Sequence, residues 1–96
     1  MSASLSTHVL DTAAGSPAAG VTVELLRDAE LVVCVQTDGD GRARLAESLE
    51  PGRYRLVFHP PSAFFRRVEL EVELGEGHYH VPLLVSPFSC ASYRGS

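Results

Sequence analysis

Apolar and polar residues alternate with a period of two along most of this chain. Val68, Leu70, Val72 and Leu74 are separated by Glu69, Glu71 and Glu73, which predicts a strand with one buried face and one wet face. The same alternation sets Val21, Val23 and Leu25 against Thr22, Glu24 and Leu26, and sets Tyr54, Leu56 and Phe58 against Arg53, Arg55 and Val57. Near the start, Leu5, Thr7 and Val9 face opposite to Ser6, His8 and Leu10. Leu31 to Val35 is a more continuous apolar run, the pattern of a strand covered on both sides, with Cys34 in the core. Turn-forming clusters punctuate these runs at Gly15-Ser16-Pro17, Asp38-Gly39-Asp40-Gly41, Pro51-Gly52, Pro60-Pro61 and Gly75-Glu76-Gly77. No segment carries a helical stripe. The pattern predicts seven or eight short strands in an all-β sandwich or barrel. Pro82 has no N–H for a ladder, which puts its strand at an edge or places a bulge there.

At 96 residues the chain is one domain, 1–96, able to bury about two-thirds of the surface its unfolded form exposes. Such a core is small, so burial of sheet faces between subunits, for example those bearing Leu83 and Val85, would add stability. No stretch approaches the roughly 18 continuous apolar residues of a membrane span. All eight basic residues are Arg, scattered among twelve carboxylates, so no basic stripe follows a nucleic-acid backbone. Met1-Ser2-Ala3-Ser4-Leu5 has neither the basic nor the apolar region of a secretory signal, and Cys34 and Cys90 read as two free thiols. Together these point to a cytoplasmic protein.

Chemistry concentrates on histidine. His78 and His80, one residue apart in a strand, project to one face, with Tyr79 on the other. Such a pair, joined by His8, could form a metal-binding module, but no nearby Cys or carboxylate completes a ligand set in sequence. His59, ahead of two prolines, is a loop residue. Asp38-Gly39-Asp40-Gly41 has Arg42 where a calcium loop needs an oxygen ligand, so it reads as a tight turn.

Four segments carry a resemblance: Leu5-Ser6-Thr7-His8-Val9-Leu10-Asp11, Thr37-Asp38-Gly39-Asp40-Gly41-Arg42, His78-Tyr79-His80-Val81-Pro82-Leu83-Leu84-Val85-Ser86-Pro87 and Tyr93-Arg94-Gly95-Ser96. With them the chain resembles the 5-hydroxyisourate hydrolases, the transthyretin-related enzymes of purine breakdown. The resemblance covers essentially the whole chain. It implies a transthyretin-like sandwich of two antiparallel sheets, a cytoplasmic homotetramer built as a dimer of dimers, and a site between subunits. It implies as substrate 5-hydroxyisourate, opened to 2-oxo-4-hydroxy-4-carboxy-5-ureidoimidazoline without metal or other cofactor. His8, Arg42 and His80 match the family's catalytic motifs, and Tyr93, Arg94, Gly95 and Ser96 match the tail that would hold substrate. The residue types suit the reaction, since water must be deprotonated near neutral pH and histidine titrates there. The planar fork of Arg42 would hold carbonyl or anionic oxygens. The family's segment between the strands ending near Phe58 and beginning near Val68 is usually longer and carries a short helix; here only His59 to Arg67 remain. The competing reading is a carrier of small aromatic ligands, which would require neither the histidines with Arg42 nor the tail. The carrier of this fold also uses a Lys, and this chain has none.

Overall fold

The computed structural model describes residues 1–95; Ser96 lies outside the described residues. Ten strand segments are present among them: β1 (Ala3–Asp11), β2 (Ser16–Pro17), β3 (Thr22–Arg27), β4 (Glu30–Gln36), β5 (Arg42–Leu49), β6 (Gly52–His59), β7 (Val68–Leu74), β8 (Gly77–His80), β9 (Leu83–Val85) and β10 (Cys90–Ser92). No helix occurs among the described residues, and none therefore is long and apolar enough to cross a membrane. The segment 60–67 is irregular, with the Ser62 hydroxyl accepting from the backbone N–H groups of Phe64 and Phe65.

The strands form two sheets, one of four strands in the order β4-β3-β6-β7, the other of six organised around β1. The four-stranded sheet is antiparallel throughout. In the other, β1 pairs antiparallel with β5 and β2 on one side but parallel with β8 and β9 on the other, so the expected two-sheet sandwich forms with one parallel seam in it. Pro82 falls in the break between β8 and β9. Register carries across that break without a bulge, Ser6 facing His80 before it and Val9 facing Leu83 after it.

Alternation decides what is buried. Leu5, Thr7 and Val9 of β1, Val23 and Leu25 of β3, and Tyr54, Leu56 and Phe58 of β6 meet between the sheets. Thr7, the polar exception in β1, donates its hydroxyl to the Val81 carbonyl at 2.6 Å and so enters the core without an unmade bond. Leu83 and Val85 are at 0% and 2% exposure, so the face expected to lie between subunits is already the core of one chain. The run in β4 is also corrected. Val33 and Val35 pack on the core, but β4 is an edge strand, so Leu31 and Val32 are exposed at 55% and 44%, and Cys34, opposite Glu24, is exposed with them.

Candidate active site

The outer face of β1 presents Ser4, Ser6 and His8, the complement of its buried Leu5, Thr7 and Val9. Register then decides their neighbours. The antiparallel partner β5 sets Arg42 beside His8 and Arg44 beside Ser6, while the parallel partner β8 sets His78 beside Ser4 and His80 beside Ser6. Two expected catalytic residues separated by most of the sequence, His8 and His80, thus share one sheet face with Arg42. Ser6, Arg42, Arg44, His78 and His80 line a shallow depression of about 460 Å³ on this face.

The turn before β5 fixes one wall. Asp38 accepts through Oδ1 from the N–H groups of Asp40 and Arg42 at 2.9 and 3.0 Å, so its carboxylate is committed to the turn, and those bonds hold it below the usual carboxylate range. Gly41 has φ of 75° and sits so close to β1 that a Cβ there would lie 2.5 Å from the Val9 carbonyl oxygen; only glycine fits. The turn also delivers the Asp40 carbonyl to His8, whose Nε2 donates to it at 2.8 Å. A neutral His8 held in that tautomer keeps Nδ1 as its proton acceptor.

His80 is anchored differently. Its Nδ1 shares a hydrogen bond of 2.8 Å with Ser6 Oγ, and among the described residues its Nε2 has no partner. Burial, with the nearby His8, His78 and Arg42, pushes its pKa below the ordinary 6.5, so at neutral pH the ring is uncharged and able to accept a proton.

The tail is docked. Gly95 donates its N–H to the His80 carbonyl at 2.6 Å in an isolated bridge, and a Cβ at this position would stand 2.7 Å from His80 Cδ2. Arg94 stacks its guanidinium 4.2 Å from the centroid of Tyr79, on the other side of β8 from the histidines. Tyr93, 59% exposed, lines with Arg94, Tyr79, Leu70 and Leu74 a second depression of about 490 Å³ beside β7. Within one chain, then, Gly95 reaches the histidine face, whereas Tyr93 and Arg94 point away from it; Ser96 is outside the described residues.

Ser4, Ser6 and Arg44 enter the site unannounced by the sequence, and His78, by sequence a metal-ligand candidate, enters with them. The signal was available in part, as Ser4-x-Ser6-x-His8 and His78-x-His80 each put their polar residues on one face. What was missing was the parallel register joining the two. His59 lies elsewhere, paired with Glu24 at 2.8 Å on the other sheet. No cluster of three or more His, Cys, Asp or Glu side chains able to hold a metal ion occurs among the described residues.

These elements define a transthyretin-like sandwich that carries imidazoles and guanidinium groups on the outside of one sheet. The match to a transthyretin from Sparus aurata, at 24% identity and a TM-score of 0.85 over 95% of each chain, shows that fold. The chain belongs to the HIUase/transthyretin family, whose model matches residues 5–95. It is similar to the 5-hydroxyisourate hydrolase of Deinococcus radiodurans, 45% identical over 96% of this chain and 95% of that one, and to that of Pseudomonas aeruginosa, 40% identical over 96% and 90%. Among solved structures it resembles the Klebsiella pneumoniae 5-hydroxyisourate hydrolase, with a TM-score of 0.89, 37% identity and coverage of 98% and 99%. The Deinococcus alignment runs to 115 positions against 96 residues here, so that relative carries residues this chain lacks.

Proposed function

We propose that this chain, as one domain over residues 1–96, is a hydrolase that opens the ring of 5-hydroxyisourate to 2-oxo-4-hydroxy-4-carboxy-5-ureidoimidazoline. The observation that carries this reading is the convergence of His8, Arg42 and His80 from three strands onto one face, which a carrier of small aromatic ligands does not need. The relatives named 5-hydroxyisourate hydrolase, matched over nearly the full chain, support it.

In this reading neutral His80 takes a proton from water as the water oxygen attacks a ring carbonyl, with His8 Nδ1 holding the same water. Arg42 binds the oxygen on which charge develops. When the ring C–N bond breaks, His80 gives that proton to the leaving nitrogen. The reaction is a step of urate breakdown and calls on no cofactor.

The depression over the histidines is open, and exclusion of water from it falls to a neighbouring subunit in a homotetramer assembled as a dimer of dimers. Exposed Leu31, Val32, Phe64 and Phe88, together with Tyr93, supply apolar surface for that assembly. Tyr93 and Arg94 then act on the substrate side only across a subunit boundary. A cytoplasmic location goes with this reading, and the two free thiols, Cys34 and Cys90, suit a reducing compartment.

The direct test is the ultraviolet absorbance of freshly made 5-hydroxyisourate with and without the protein. Its decay should accelerate, and a chelator should leave the acceleration intact. A folded protein that does not change the decay overturns the reading.

A further inference from the structure

Four side chains on the outer face of β1 and β8 form one unbroken line of hydrogen bonds. Ser4 Oγ lies 2.7 Å from His78 Nδ1, His78 Nε2 lies 3.2 Å from Ser6 Oγ, and Ser6 Oγ lies 2.8 Å from His80 Nδ1. The line has a direction in space. Both rings line the depression, but His78 is exposed while Ser6 and His80 are partly covered, so the line runs from the more exposed ring to the less exposed one.

A hydroxyl between two imidazole nitrogens has two settings, because it can donate to only one of them and accepts from the other. In the first setting His80 Nδ1–H donates to Ser6 and Ser6 donates to His78 Nε2, which leaves His80 Nε2 bare. In the second, His78 Nε2–H donates to Ser6, Ser6 donates to His80 Nδ1, and His80 carries its proton on Nε2. The first presents a base to the depression and the second presents an acid.

We propose that Ser6 and His78 are a proton relay for His80, switching it between these two settings within each turnover. The relay rests on the reading of His80 as the general base. In the first step a water O–H bond breaks, its oxygen bonds to the ring carbonyl carbon, and the carbonyl π electrons move onto oxygen. The water proton arrives on His80 Nε2. His80 Nδ1 passes its own proton to Ser6, Ser6 passes its hydroxyl proton to His78 Nε2, His78 passes one from Nδ1 to Ser4, and the Ser4 hydroxyl gives its own to solvent. In the second step the carbonyl re-forms, the C–N bond breaks with its electron pair on nitrogen, and that nitrogen takes the proton from His80 Nε2. In the same motion Ser6 returns a proton to His80 Nδ1, His78 Nε2 returns one to Ser6, and His78 Nδ1 takes one from the Ser4 hydroxyl, which refills from solvent, so the line is back in its first setting and His80 never loses both ring protons. One proton leaves and one enters, so the relay is restored with no oxidant or reductant.

The surroundings favour this over a charge stored on His80. Its ring is desolvated and faces His8 from β1, Arg42 from β5 and His78 from its own strand, all of which disfavour a lasting imidazolium. A relay keeps the ring neutral before and after each step.

The test is the turnover number on 5-hydroxyisourate in dilute buffer of a poor proton carrier, with added imidazole as the probe. His78→Gln should lower kcat by about 10-fold or more with KM unchanged, and imidazole should restore it, since a mobile base replaces the missing end of the line. Ser6→Ala should lower kcat at least as far, and Ser6→Thr, which keeps a hydroxyl, should recover most of that loss. In the unaltered protein, kcat measured across mixtures of light and heavy water should fall along a curve, because several protons move together. An active protein in which His78→Gln turns over normally in dilute buffer, or in which the heavy-water dependence is a straight line, overturns the relay. An unaltered protein with no activity overturns the hydrolase reading instead.

Discussion

Gly95 N–H is bonded to the His80 carbonyl at 2.6 Å, and the space where a Cβ would stand is taken by the His80 ring, 2.7 Å away at Cδ2. The tail therefore touches β8 at His80, the residue proposed as the general base. Gly95→Ala must displace the imidazole or break the bridge, and a misplacement of that size is expected to cost about 10²-fold in kcat. Circular dichroism should remain that of the unaltered β protein. Removal of residues 93–96 should give the same loss, read in the same assay; an active truncated protein would show that the bridge has no part in positioning His80.

His80→Ala and His8→Ala are each expected to lower kcat on the order of 10²-fold or more, the first by removing the group that takes the water proton and the second by removing the one that holds the water in place. The two should not multiply in a double variant if both rings hold the same water. Steady-state rates of the three variants decide this.

Arg42→Lys keeps a positive charge but loses the planar pair of donors. With Arg42 placed over the depression, the expected loss in kcat/KM is on the order of 10²-fold, most of it in kcat if the guanidinium meets the developing oxyanion. Kinetics near those of the unaltered protein would show that charge alone serves.

The pH dependence follows from His80. Its pKa in the folded chain lies below the ordinary 6.5, through burial first and then the charges of His8, His78 and Arg42. Its base form thus persists below 6.5, and the acidic limb of kcat/KM should fall at a lower pH than a free imidazole would give. The same shift links to stability. Between 6.5 and the lower folded value the unfolded chain binds the proton first, so folding stability is intact above 6.5 and declines as pH falls through that window. His80→Gln should flatten this decline in denaturant titrations at a series of pH values.

How much was legible in the sequence depends on the range of the interaction. The alternation in Leu5 to Leu10, Tyr54 to Phe58 and Val68 to Leu74 reports a buried face directly, and those strands form as expected. The run at Leu31 to Val35 misleads because apolar character says nothing about whether a strand is central or at an edge. With β4 at an edge, Leu31, Val32 and Cys34 reach solvent. Leu83 and Val85 mislead in the opposite sense, being used up inside one chain. His8, Arg42 and His80 are recognisable by motif, but Ser6 is not, since its place between two imidazoles depends on pairing β1 with β8 in parallel, a relationship with no local signature.

That parallel pairing also sets an order of events as the chain folds. The strands β3, β4, β6 and β7 close their sheet mostly through neighbours along the chain, and β1 finds β2 and β5 at shorter range, while the β1–β8 seam must wait for a partner 74 residues away, the separation between Ser4 and His78. Distant pairings pay their loop entropy before any contact repays it. The hairpin sheet is therefore expected to gain hydrogen-exchange protection early during refolding and the β1–β8 seam late. The ability to turn over substrate would then be the last property the molecule acquires.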